Sequence, residues 1–105
     1  MQLVEYIWVD GNGHLRSKTR VLSDLDNIPN WTYDGSSTGQ SMSDNSEIIL
    51  KPVATFKNII HPGEITLILC DTYDNNNCPT PSNNRYNAVE LFNKNKECVP
   101  WFGLE

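Results

Sequence analysis

The sequence is short of positive charge, histidine and cysteine, and each shortage removes a class of function. Lys and Arg number 8 against 13 Asp and Glu, for a net charge of −5 and a pI near 4.8. Nucleic-acid binding needs clustered Lys and Arg, so no nucleic acid is expected as a partner. The two histidines are His14, in a turn-rich stretch, and His61, just before Pro62. Neither forms a Ser/His/Asp set by spacing. Cys70, Cys78 and Cys98 are odd in number and widely spaced, with no C-x-x-C pair. Zinc is therefore not expected, and free thiols in a reducing cytosol are. No run approaches the roughly 18 apolar residues of a membrane helix. Met1 to Glu5 lacks the basic-then-apolar order of a signal peptide. A cytoplasmic chain without a membrane partner is expected.

What is present suits one folded domain. The 105 residues are 38% hydrophobic and 20% charged. That balance fits a globular chain with a modest core and argues against disorder. Leu3 to Val9 alternates as a strand, with Val4, Tyr6 and Trp8 on one face and Leu3, Glu5, Ile7 and Val9 on the other. Asp10-Gly11-Asn12-Gly13 supplies hairpin-turn dipeptides. Leu15 to Leu22 then returns as a second strand, with Arg16, Lys18 and Arg20 on a face expected to be solvated. Gly11 and Gly13 form a lone G-x-G with no helix after it, so a phosphate loop is not supported.

Ser23 to Asn30 reads as a loop. Trp31 to Asp44 reads as a short strand entering a long ordered loop, the kind that is usually functional or mobile. A strand is expected over Glu47 to Leu50, stopped by Pro52, and the strongest strand over Glu64 to Tyr73. Ser82, Asn83 or Asn84 can cap a following helix. Ala88, Val89, Leu91 and Phe92 give that helix its apolar stripe. Val99 to Phe102 is expected to begin a last strand. No internal repeat is visible. The fold class expected is α+β: a small β-grasp-like mixed sheet with one main helix packed on one face.

One run stands apart, Trp31-Thr32-Tyr33-Asp34-Gly35-Ser36-Ser37-Thr38. It places a carboxylate, a glycine and hydroxyls behind two aromatic rings. Asp34 has two readings. It can be a turn aspartate bonded to its own backbone, with Gly35 completing the turn. Alternatively, rings beside a carboxylate lower the local dielectric, so Asp34 can hold a cation or act as a base.

Together with Pro100-Trp101-Phe102-Gly103-Leu104-Glu105, that run resembles glutamine synthetase of the eukaryotic type. Glu5 to Gly11, Arg16 to Arg20, Asn45 to Ala54 with Phe56, and Leu69-Cys70-Asp71 resemble the same family. Lys57-Asn58-Ile59-Ile60 departs from its usual, more basic stretch. The resemblance implies an N-terminal β-grasp domain over residues 1–99 and the start of a catalytic domain over 100–105. It implies an ATP-dependent ligase that joins ammonium to glutamate, working as a ring-shaped homo-oligomer. In such a ring the N-terminal domain of one subunit caps the next subunit's active site. Asp34 would bind ammonium and take its proton, with Ser37 beside the same site. Trp31, Tyr33 and Trp101 would lie at or near subunit contacts. Glu105 would be one ligand of Mg²⁺ or Mn²⁺ in an incomplete metal site, since the family's other ligands are absent. The full enzyme would use ATP and metal; this chain alone is expected to bind neither and to be inactive. The alternative is a non-catalytic interaction module or a crystallin-like structural relative.

Overall fold

The computed structural model describes residues 1–41, 46–61 and 63–104. Five strands run in the order β1 (Gln2–Val9), β2 (Leu15–Leu22), β3 (Trp31–Asp34), β4 (Glu47–Lys57) and β5 (Ile65–Asp74). One helix follows, α1 (Asn84–Lys94), with short 3₁₀ turns at Gly35–Thr38 and Lys96–Cys98. The strands form one mixed sheet in the order β2-β1-β5-β4-β3. The β1–β5 pair is parallel and the other pairs are antiparallel. The α+β reading holds.

The alternation in β1 sets the core. Val4, Tyr6 and Trp8 are buried, and so are Leu22, Ile48, Leu50, Ile68 and Cys70 from the other strands. Full burial of one such aliphatic or aromatic side chain is worth roughly 1.5–3 kcal/mol. Leu25, Ile28, Trp31 and Tyr33 close over this cluster. The Tyr6 hydroxyl donates to the Pro29 carbonyl at 2.6 Å, which fastens the Ser23–Asn30 loop across it. β2 and β3 are the two edges of the sheet, yet Lys18 Nζ donates to the Thr32 carbonyl at 2.7 Å. The sheet is therefore curled, with its core inside the curl.

Three expectations change. The basic side chains of β2 are not all on a solvated face: Lys18 and Arg20 are half-buried, while Arg16 stays exposed. The register sets Arg20 beside Val4, Lys18 beside Tyr6 and Arg16 beside Trp8, so all three share the core-side face. Long cationic side chains can do this because their stems are apolar and their heads reach polar or aromatic partners. β4 does not stop at Pro52. It runs on to Lys57, with its register shifted between Pro52 and Ala54. An irregularity of this kind is where a sheet accommodates a proline that cannot donate to the ladder. Finally, Val99–Phe102 forms no strand. Val99 adopts a left-handed φ of 42°, and the segment is exposed.

The helix begins where the polar run before it predicts. Asn83 is the cap, its side chain accepting from Tyr86 N at 3.1 Å. The same side chain donates to the Thr72 carbonyl at 2.9 Å, which anchors the helix start to β5. Contact with the outer face of the sheet comes mainly from the first turn. Arg85 Nε lies 3.6 Å from Asp71 Oδ1, and Tyr86 meets Tyr73 edge-on with centroids 6.2 Å apart, a spacing typical of such pairs. No residue of α1 is fully buried, and Val89, Leu91 and Phe92 stay largely exposed.

Candidate functional site

The Asp34 turn is built from residues close in sequence. Asp34 is the N-cap of the Gly35–Thr38 turn. Its Oδ1 accepts from Ser36 N at 3.0 Å and Ser36 Oγ at 2.7 Å. These bonds hold its carboxyl below the ordinary carboxylate value, with the Ser36 hydroxyl the largest cause. Ser37 Oγ donates to the Asp34 carbonyl at 3.2 Å, so both predicted residues sit exposed on one turn. Gly35 is buried against Ile48. A Cβ there would fall well inside van der Waals contact with the Ile48 side chain.

The two rings of the run do not flank the carboxylate as expected. In a strand, neighbouring side chains point to opposite faces, so Trp31 and Tyr33 turn to the core while Asp34 stays exposed. Trp31 meets Tyr6 edge-on at 5.2 Å, and Tyr33 stacks on Trp8 at 4.3 Å. Trp31 and Tyr33 are half-buried, whereas Trp101 is 94% exposed. Phe102, next to Trp101, lies 5.5 Å from Phe92 of α1. Burial pushes the Tyr33 hydroxyl up to about 12, against the opposing pull of its hydrogen bonds.

A side chain absent from the sequence reading ties this turn to the rest of the domain. Gln40 Oε1 accepts from the Tyr33 hydroxyl and, at 2.8 Å, from Thr38 Oγ1. Its Nε2 lies 3.3 Å from the Val9 carbonyl, from Thr72 Oγ1 and from Ser82 Oγ. The β1–β2 turn docks on the same place, with Gly11 N donating to the Thr38 carbonyl at 2.9 Å. A Cβ on Gly11 would collide with the Gly39 carbonyl, so glycine is required at this approach.

Among the described residues, no group of three or more His, Cys, Asp or Glu is placed to hold a metal ion. Glu105, expected as a metal ligand, lies outside the described residues. No helix among the described residues is long and apolar enough to cross a membrane. All three cysteines are free thiols.

No family model matches the chain. Curated proteins do. A chloroplastic glutamine synthetase of Zea mays is 46% identical over 98% of the chain. The chain is a relative of the glutamine synthetases. A cytosolic glutamine synthetase isozyme of Daucus carota is also 46% identical over 98% of the chain, and a glutamine synthetase of Agaricus bisporus is 42% identical over 96%. The chain spans only 26%, 31% and 30% of the lengths of these three glutamine synthetases.

Proposed function

We propose that this chain is the N-terminal part of a glutamine synthetase, and that its Asp34 turn supplies part of the ammonium site. The parent enzyme would join ammonium to glutamate at the expense of ATP. The observation that carries this reading is identity of 46% sustained over 98% of the chain. The turn supports it chemically. An exposed carboxylate held in its ionised form attracts a small cation, and Ser37 adds a hydroxyl beside it.

The same hydrogen bonds make Asp34 a weak base in this chain by itself. Taking a proton from ammonium calls for a drier setting, which raises a carboxylate's proton affinity. In a ring assembly, a neighbouring subunit covering the turn would supply that setting. Trp101, 94% exposed, has its ring free to meet a neighbouring subunit, and Trp31 and Tyr33 would contribute only the parts of their rings left open. The ATP site and most of the ligands of Mg²⁺ or Mn²⁺ would come from the remainder of the enzyme, with Glu105 supplying one ligand. Hard cations need several oxygen ligands in fixed geometry, more than one glutamate supplies. A reducing compartment such as the cytosol suits the three free thiols.

Two preparations test the reading. The purified 105-residue chain should show no γ-glutamyl transfer with Mn²⁺ and ADP. Placed in a plant glutamine synthetase in exchange for the aligned segment, it should support glutamine formation. An assembled chimera unable to make glutamine would contradict the reading and favour a non-catalytic module.

A further inference from the structure

We propose that Gln40 is a positioning residue that holds the Asp34 turn in register with the sheet, so that the ammonium-binding carboxylate stands at a fixed place. This rests on the reading of Asp34 given above. The carboxamide is the point where four separate parts of the chain meet. Its oxygen takes the hydroxyls of Tyr33 on β3 and Thr38 in the turn. Its nitrogen faces the Val9 carbonyl at the end of β1, Thr72 on β5 and Ser82 before α1.

The amide's orientation follows from chemistry. The Val9 carbonyl can only accept, so the NH₂ must face it and the oxygen must face Tyr33 and Thr38. No other side-chain type of this length presents two acceptor sites on one side and two donors on the other. The Asp34 side chain bonds Ser36, two residues on, and interacts with Ser46. Gln40, by contrast, reaches across 31, 32 and 42 residues of sequence. Backbone bonds complete the lock: the amides of Gln40 and Ser41 donate to the Gly35 carbonyl at 3.0 and 3.2 Å, and Gly11 N donates to Thr38.

Hydrogen exchange on the 105-residue chain tests the bridge. In Gln40→Met the amides of Gly11, residue 40 and Ser41 should exchange about tenfold faster or more, while those of Tyr6 and Ile68 in the central ladder hold their rates. Gln40→Glu keeps the shape and the acceptor oxygen but turns an acceptor toward Val9. It should loosen the same amides, and it decides the matter if the Met variant does not fold. Wild-type exchange in Gln40→Glu, or equal acceleration throughout the sheet, would overturn the proposal.

Function is read in an intact synthetase that carries this segment. Gln40→Glu should raise the ammonium KM about tenfold and leave the ATP KM unchanged, as loss of a positioning contact predicts. Loosened exchange with an unchanged ammonium KM would overturn the positioning role. A normal ammonium dependence in Asp34→Asn would instead sink the ammonium reading, and the exchange result would still decide whether Gln40 locks the turn.

Discussion

The Lys18 ammonium sits 3.7 Å above the centre of the Trp31 ring, and its Nζ donates to the carbonyl of Thr32 next door. Arg20 lies over the same ring at 4.8 Å. These two cations fasten one edge strand of the sheet to the other, with no backbone ladder between them. Burial lowers the proton affinity of Lys18, and the charge on Arg20 adds to the effect.

Lys18→Ala removes both the ring contact and the bond to Thr32. A cation over an aromatic face is worth roughly 0.5–2 kcal/mol, and a hydrogen bond from a charged donor a comparable amount. Urea unfolding should therefore show a loss of about 2 kcal/mol, with Trp31 fluorescence changed in the folded state. Lys18→Arg should recover part of the loss. An unchanged unfolding midpoint in Lys18→Ala would show that the curl closes without this contact.

Asp10 organises the first hairpin and gives the domain an acid-sensitive element. It is 0% exposed, and its Oδ1 accepts from Asn12 N at 2.8 Å and His14 N at 2.9 Å. Its Oδ2 accepts from Arg16 Nε at 2.8 Å. Arg16 chiefly, then the backbone bonds, bring its carboxyl down to about 2. A folded value below the unfolded one means stability that is present above the unfolded value and lost as pH falls. Stability should thus decline between about pH 4 and pH 2, and Asp10→Asn should flatten that part of the curve. An identical pH profile in the variant would contradict this.

The three thiols should react unequally. Cys70 is buried in the core, and burial pushes its thiol up to about 12. Thiolate is the reactive form, so Cys70 should be silent to a thiol reagent at neutral pH. Cys78 and Cys98 are exposed. Native chain should take up two equivalents of reagent, and chain in denaturant three. Rapid labelling of Cys70 in the native state would mean that the core opens readily.

How much the sequence showed depended on how far apart the interacting residues lie. The faces of β1, the hairpin turn, the β5 strand and the Asn83 helix cap all rest on neighbours within a few residues, and all were legible. So was the turn reading of Asp34, whose side chain bonds two residues on. Alternation in β2 separated its two faces but could not say which one met the core. Only the register with β1 shows that Lys18 and Arg20 turn inward. Pro52 read as a strand end because a proline breaks a regular ladder, yet a local register shift absorbed it. The Val99–Phe102 run has a strand-like composition but pairs with no strand of the sheet. Gln40 gave no sequence signal, because an isolated polar residue among Gly and Ser says nothing of partners more than 30 residues away.

If the carboxylate of Asp34 receives ammonium, the variant that shows it is Asp34→Asn in an intact synthetase carrying this segment. Asn serves as well as Asp in capping a turn, so the fold should be kept and only the charge lost. Glutamine formation should fall by about two orders of magnitude, the usual cost of removing a general base. Ammonium affinity should fall with it, while ATP-dependent formation of γ-glutamyl phosphate, which needs no ammonium, should survive. Glutamine formation with normal ammonium dependence in Asp34→Asn would contradict the account and leave Asp34 as the cap of a turn.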